Sequence, residues 1–345
     1  MTLFAWPWLS GAVTIPWDAK AHFYPQLVFL ARSLHEGQAP FWAPQVFGGH
    51  PQIADPQSLI FSPPHLLVAA LDPSPSFVAF DAVVFAMLAA GGLGVMMLFR
   101  DRGWRPEGAL VAALAFALGG SNAWRIQHVG QVLSLAWFVI ALWLLLRAID
   151  RRSVAAGAAA GLAAGLMVTG RDQIAWFGVL LLAFFAVWRI VELGLARWRG
   201  LLAPLGAGLL MGVLTIALPV ALTLAFAAYS NRAEITFEGA AGGSLHPGAL
   251  YTFVAANLFG VDGPLRDYWG PPSPDFWGDV RLALARNMAA VYMGAIPLAA
   301  LLAWGVARGG FLAREMRMFS VAALALLLYA LGRYTPVFSL AFHLP

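Results

Sequence analysis

The sequence predicts an all-α polytopic membrane protein, with about nine transmembrane helices and two long outer loops. Three observations predict the class. Hydrophobic residues make up 61% of the 345 positions and charged residues 11%, where a soluble domain carries about 25%. Apolar runs recur along the whole chain, separated by short charged stretches, as expected of helices that satisfy their own backbone in lipid. Basic residues gather in a few tight clusters between alternate apolar runs.

The apolar segments lie near 3–17, 76–99, 106–122, 129–148, 153–169, 173–194, 201–229, 288–307 and 318–332. The basic clusters are "RDRGWR" (100–105), "RAIDRR" (147–152), "RIVELGLARWRG" (189–200) and "ARGGFLAREMR" (307–317). Each holds three Arg, so the four hold 12 of the 21 Lys and Arg. Cytoplasmic loops carry the excess of Lys and Arg, which places all four on the inner side, with every even segment running inward. The outer side then holds loops 18–75 and 230–287, the short connections 121–128 and 170–172, and most of the 17 acidic residues. Residues 1–345 read as one transmembrane domain, with no separate soluble domain and no convincing repeat.

Several classes are excluded. The net charge of +4 belongs to the inner loops, and no basic, aromatic-interleaved segment offers a nucleic-acid surface. There is no Cys, so disulfides and thiolate-ligated metals are ruled out. No phosphate-binding G-x-x-x-x-G-K-[ST], no G-x-G-x-x-G, no H-E-x-x-H and no G-x-S-x-G occurs, although "GGSNA" faintly suggests a membrane serine protease. "MTLFAWPWLSGAV" lacks the basic start of a signal peptide, and segment 3–17 is short for a span. The chain stops abruptly in "GRYTPVFSLAFHLP", which leads us to expect further sequence at the C-terminal end, and a few residues more at the start.

The outer loops have internal order. "YPQLVFLARSLHEG" (24–37) predicts an amphipathic surface helix with Leu27, Leu30, Ala31 and Leu34 on one face, ended by Gly37. Pro40, Pro44, Pro51, Pro56, Pro63 and Pro64 then make a stiff irregular loop. Phe41, Trp42 and Phe47 suit the headgroup zone, so the loop reads either as a cap with aromatic anchors or as the platform of a site. The second loop carries Arg232, Glu234, Glu238, His246, Tyr268, Trp269 and Trp277. Rings beside carboxylates dress carbohydrate sites and membrane interfaces alike.

The candidate chemistry begins in "TIPWDAKAHFYPQ" (14–26). Asp18 reads as a solvated boundary residue, or as a general base or metal ligand facing an outer cavity. Lys20, His22, Tyr24 and Gln26 follow at every second position, and Asp18 with His22 becomes a pair in either extended or helical chain. Two residues do not complete a metal site, so no cofactor is expected, with a divalent metal as the alternative. "SNAWRIQHVGQ" offers Arg125, Gln127, His128 and Gln131, and "TGRDQ" offers Arg171 and Asp172. An Arg here either clamps a phosphate or snorkels at the interface, and Arg171–Asp172 also reads as an exposed turn. Gly157, Gly161 and Gly165, four apart, form a packing stripe for close helix approach.

"IPWDAKAHFYPQ", "LHEGQAPFWAPQVFGGHPQIADPQ" with "SPPHLL", "SLHPGALYTFVAANLFG", "DYWG", "VYMGAIPLAALLA" and "LGRYTPVFSLAFHLP" together resemble the YfhO-type bacterial membrane protein family, within the GT-C glycosyltransferase superfamily. The resemblance covers essentially the whole chain. It implies transfer of a sugar from a polyprenyl-phosphate carrier to an envelope lipid, polymer or protein, on the outer face of the bacterial cytoplasmic (inner) membrane. It maps the catalytic acidic residue of that fold, which would take the acceptor hydroxyl's proton, onto Asp18, and it implies a longer protein. Arg125, Arg171 or Arg232 would meet the departing phosphate, and His22, Tyr24, Gln26, His128, Asp172, Tyr268 and Trp269 are the candidate substrate contacts. A flippase-like lipid or glycan transporter, or a non-catalytic partner in glycan assembly, is the rival reading. Transport would want ionisable residues along a path through the bilayer, and few charges sit mid-helix here.

Overall fold

The computed structural model describes residues 1–229, 236–260, 268–271 and 290–343. The described chain is helical, and its only β pairing is one isolated bridge between Ala43 and His50. It forms two units, Met1–Ala113 with Arg125–Ser230, and Leu114–Trp124 with Asn231–Pro345.

Ten helices precede residue 230: α1 Thr2–Leu9, α2 Tyr24–His35, α3 Pro63–Leu71, α4 Phe77–Arg102, α5 Pro106–Leu118, α6 Gly120–Arg125, α7 Val129–Arg151, α8 Val154–Val168, α9 Gln173–Leu193 and α10 Leu202–Ala227. Among the described residues, four helical stretches are long and apolar enough to cross a membrane: α4, α7, α9, and Trp198–Ala227, which contains α10. At 1.5 Å per residue, a 30 Å hydrocarbon layer needs about 20 residues. The 15-residue α8 and the apolar helix Ala295–Val306 fall short of that length.

The first predicted segment is the clearest departure. Its helix stops at Leu9, after eight residues. Pro7 sits inside it, Gly11 turns the chain at φ +79°, and Pro16 follows. These residues cannot continue a helix, so 10–16 runs irregularly over α4. There the Ile15 amide donates to Asp81 Oδ2 at 3.2 Å, inside the protein. Segment 106–122 also breaks, into α5 and α6 at Gly119. The amphipathic surface helix is present as α2 with Leu27, Leu30 and Ala31 buried, but Ser33 is buried in place of the exposed Leu34.

Side-chain caps start α4, α8 and α9. Ser76, Ser153 and Asp172 accept from the amides of Ala79, Ala156 and Ala175 at 3.2, 3.2 and 2.8 Å. Within the first unit α8 packs on α7 and α10, and α7 also packs on α4 and α9. The glycine stripe has the packing role its spacing implies. A Cβ on Gly157 or Gly161 would overlap the backbone of Pro204 or Gly208, and one on Gly165 would meet Thr215, so α8 and α10 touch main chain to main chain. The outward faces of α9 and α10 expose Val187, Val191, Leu209 and Leu214, as a lipid-facing surface does.

Charge separates the two ends of this bundle. At one end Asp101 of α4 accepts from Arg147 at 2.8 Å, Arg151 at 3.0 Å and Trp143 at 2.9 Å, all on α7. Asp150 of α7 accepts from Arg189 of α9 at 2.6 Å and lies 3.7 Å from Arg102. Three of the four basic clusters thus contribute to one end, and α4, α7 and α9 all point their C-termini there. This is the alternation that the charge pattern predicts.

In the second unit, Gly332 at φ +53° lets the chain turn against Ser244. There Leu245 donates to Ala330 O at 2.8 Å and Arg333 N to Ser244 Oγ at 3.0 Å. Its helices include Phe237–Ala241, Arg314–Ala330 and Pro336–Phe342.

Candidate functional site

The other end of the first unit gathers polar side chains from four separate stretches. After Ile15 the backbone turns at Trp17, φ +57°, and the next residue, Asp18, opens a single π-helical turn that leads into α2. Asp18 Oδ2 lies 3.2 Å from His128 Nδ1. His128 is held from its own side. Its amide donates to Arg125 O at 2.7 Å, closing the turn after α6, and fully buried Val129 fixes the start of α7.

Beyond His128 lies a cavity of about 60 Å³. By the same measure one water takes roughly 10–15 Å³, so it holds a few waters or the polar edge of a larger molecule. His128, Gln131 and Gly130 line it from the start of α7, and Asp172 from the start of α9. Gln57 and Ser58 of the Pro-rich loop roof it, and Phe23 and Trp137 give it an apolar side. The loop thus borders the cavity, while Phe41, Trp42 and Phe47 stay exposed in the manner of anchors.

Asp172 is the N-cap of α9, with Oδ1 on the Ala175 amide. Its Oδ2 accepts from Ser134 Oγ at 2.8 Å. Burial pushes its carboxyl above the ordinary range, against the pull of those donors and of Arg125. Arg125 is itself depressed by burial, with Asp172 opposing, and donates to Gln131 Oε1 at 2.6 Å. His128 is held below the usual imidazole value, first by burial and further by Arg125, while Asp18 works the other way. The result is one electrostatic chain from Asp18 through His128 and Arg125 to Asp172.

Arg171 has a different task. It sits at φ +49° and its guanidinium points into the Pro-rich loop. It donates to Asp55 O at 2.6 Å, Ser58 Oγ at 3.1 Å and Thr223 Oγ1 at 3.1 Å, and stacks over the Phe61 ring at 5.4 Å. Burial brings its pKa down to about 10, so the cation persists at neutral pH. Those donors are spent on protein oxygens, so Arg171 ties the roof loop to α10 and to the α8–α9 turn.

Other predicted residues are placed as follows. His22 and Gln26 hydrogen-bond to each other at 2.7 Å. Tyr24 stacks on Phe77 at 3.9 Å and donates to Pro75 O at 2.9 Å, an anchoring role. Lys20 lies over the Phe77 ring. Tyr268 and Trp269 belong to the second unit, where Tyr268 donates to Pro271 O at 2.6 Å and Trp269 packs edge-on against Phe259. Arg232, Glu234 and Trp277 lie outside the described residues. Ser134 was not legible as a site residue: its one signal is a hydroxyl inside the apolar run "VLSLAW".

Among the described residues no three His, Asp or Glu side chains gather as metal ligands. Fold and site define a helical membrane protein with a small polar cavity at one end of its bundle. Comparison of the chain with protein-family models, curated proteins and solved structures finds no match.

Proposed function

We propose that this protein is an integral-membrane glycosyltransferase of the GT-C type, similar to the YfhO-type family, that moves a sugar from a polyprenyl-phosphate carrier to an envelope lipid, polymer or protein. In this reading the four long helices and the shorter apolar ones, without the eight-residue α1, cross the bacterial cytoplasmic membrane, and the cavity opens on the extracytoplasmic side. No cofactor enters the reaction.

The observation that carries the reading is the junction of Asp18 with His128 beside Arg125 and Asp172, at the end of the bundle opposite the basic clusters. Glycosyl transfer from a phosphate needs a group that takes the acceptor hydroxyl's proton, and the Asp18–His128 pair supplies one. It also needs positive charge near the departing phosphate, and Arg125 stands behind Gln131 at the cavity. An apolar groove of about 320 Å³ runs between α8, α9 and α10 as far as Val168, next to Thr169 and Gly170 of the polar cavity, and suits a prenyl chain. Arg171 is committed to the roof loop and takes no phosphate role here. The test is sugar transfer from a polyprenyl-phosphate donor by wild type and Asp18→Asn; equal rates sink the assignment.

A further inference from the structure

Three features outside the electrostatic chain carry less. Buried Asp81 takes the Ile15 amide on Oδ2 alone, the glycine stripe is explained by helix packing, and the exposed aromatics of the first loop by a membrane interface. The division of labour between Asp18 and His128 carries more.

We infer that His128 takes the acceptor proton on Nε2, and that Asp18 is the positioning residue that orients it. This deepens the transferase reading and rests on it. Three observations converge. First, His128 lines the cavity and Asp18 does not; the Asp18 side chain is 55% exposed beside it. Second, of the residues lining the cavity only His128 and Asp172 carry an ionisable side chain, and both Asp172 oxygens are taken, by Ser134 and by the Ala175 amide. Third, Asp18 sits on Nδ1. A carboxylate only accepts, so Nδ1 carries the proton, and the neutral ring keeps its lone pair on Nε2. The buried start of α7 and the closed turn after Arg125 hold the ring in that setting. Burial and Arg125 keep the imidazole neutral and ready to accept.

The step balances without a further reactant. The acceptor hydroxyl gives its proton to Nε2 while its oxygen bonds to the anomeric carbon. The bond from that carbon to the phosphate oxygen breaks, and its electron pair leaves with the polyprenyl phosphate. The imidazolium then returns its proton to water or to the departing phosphate.

The test uses the protein reconstituted in lipid nanodiscs with ¹⁵N-labelled histidine, the His128 signals being those absent in His128→Asn. Asn is a good N-cap, so that variant keeps the start of α7. The charged groups acting on His128 are Asp18 and Arg125, with Asp172 across the cavity. Wild type is expected to show the Nδ1–H tautomer. Asp18→Ala is expected to move it toward Nε2–H and to lower its titration midpoint. With a polyprenyl-phosphate-linked hexose as donor, His128→Asn is expected to lose at least 100-fold in kcat, the low end for general-base catalysis. Asp18→Ala is expected to lower kcat with KM unchanged and to shift the acid limb of the pH profile downward. A tautomer and midpoint identical in wild type and Asp18→Ala overturn the pairing. Wild-type transfer by His128→Asn overturns the base. A wild type that shows the tautomer, loses it in Asp18→Ala, and yet transfers no sugar overturns the transferase reading and leaves the pairing standing.

Discussion

Arg171 Nη2 donates to the main-chain carbonyl of Asp55 at 2.6 Å, and through that bond the turn between α8 and α9 holds the roof of the cavity. The same guanidinium reaches Ser58 and Thr223, so one cation organises three stretches of chain. Lys has no planar fork and cannot satisfy these acceptors together. Arg171→Lys is expected to cost about 1–3 kcal/mol, the range for leaving buried groups unpaired. Hydrogen–deuterium exchange should rise at residues 50–60; uptake equal to wild type there would refute the tie.

Asp18→Asn removes the carboxylate with little change of shape. Sugar transfer is expected to fall by at least tenfold, read as product formed from a polyprenyl-phosphate donor. The exposed side chain makes little contribution to folding, so thermal stability in detergent should stay within about 0.5 kcal/mol of wild type.

Gly161 lies where α8 meets the Gly208 carbonyl, whereas a Cβ on Gly206 meets nothing within 4 Å. Gly161→Ala should therefore destabilise by about 1–3 kcal/mol as the helices are forced apart. Gly206→Ala should be neutral, or stabilising by up to about 1 kcal/mol through helix propensity. Thermal unfolding of the two variants side by side separates packing from propensity.

His65, on the short helix α3 outside the four long spans, is fully buried, with Ser62 Oγ 2.9 Å from Nδ1 and no partner on Nε2 among the described residues. Burial lowers its pKa to about 3, far below the ordinary imidazole value near 6.5. A depressed folded pKa means that the neutral ring is the one the fold accepts. Its stability is present above pH 6.5 and is lost as pH falls toward 3. His128, also depressed, adds to the same acid limb. The melting temperature of wild type should fall across that window, and His65→Asn should flatten the fall. Equal slopes would show that neither the ring nor its burial controls acid stability.

The sequence by itself determined the helical membrane class and the long elements α4, α7, α9 and α10, because unbroken apolar length is a local property that needs no partner. It also determined helix α2 and the contact face of α8, since each depends on residues within a few positions of one another. The early stop of α1 has local causes too, in Pro7 and Gly11, although hydropathy alone runs straight through them. Only the tertiary structure decided that Asp18 meets His128 rather than its neighbour His22, that Arg171 turns into the roof loop, and that Ser134 joins Asp172. Those choices depend on which helix ends come together, and that is settled by main-chain contact of α8 with α10 and by charge pairing among α4, α7 and α9. Spacing along one chain does not record such meetings.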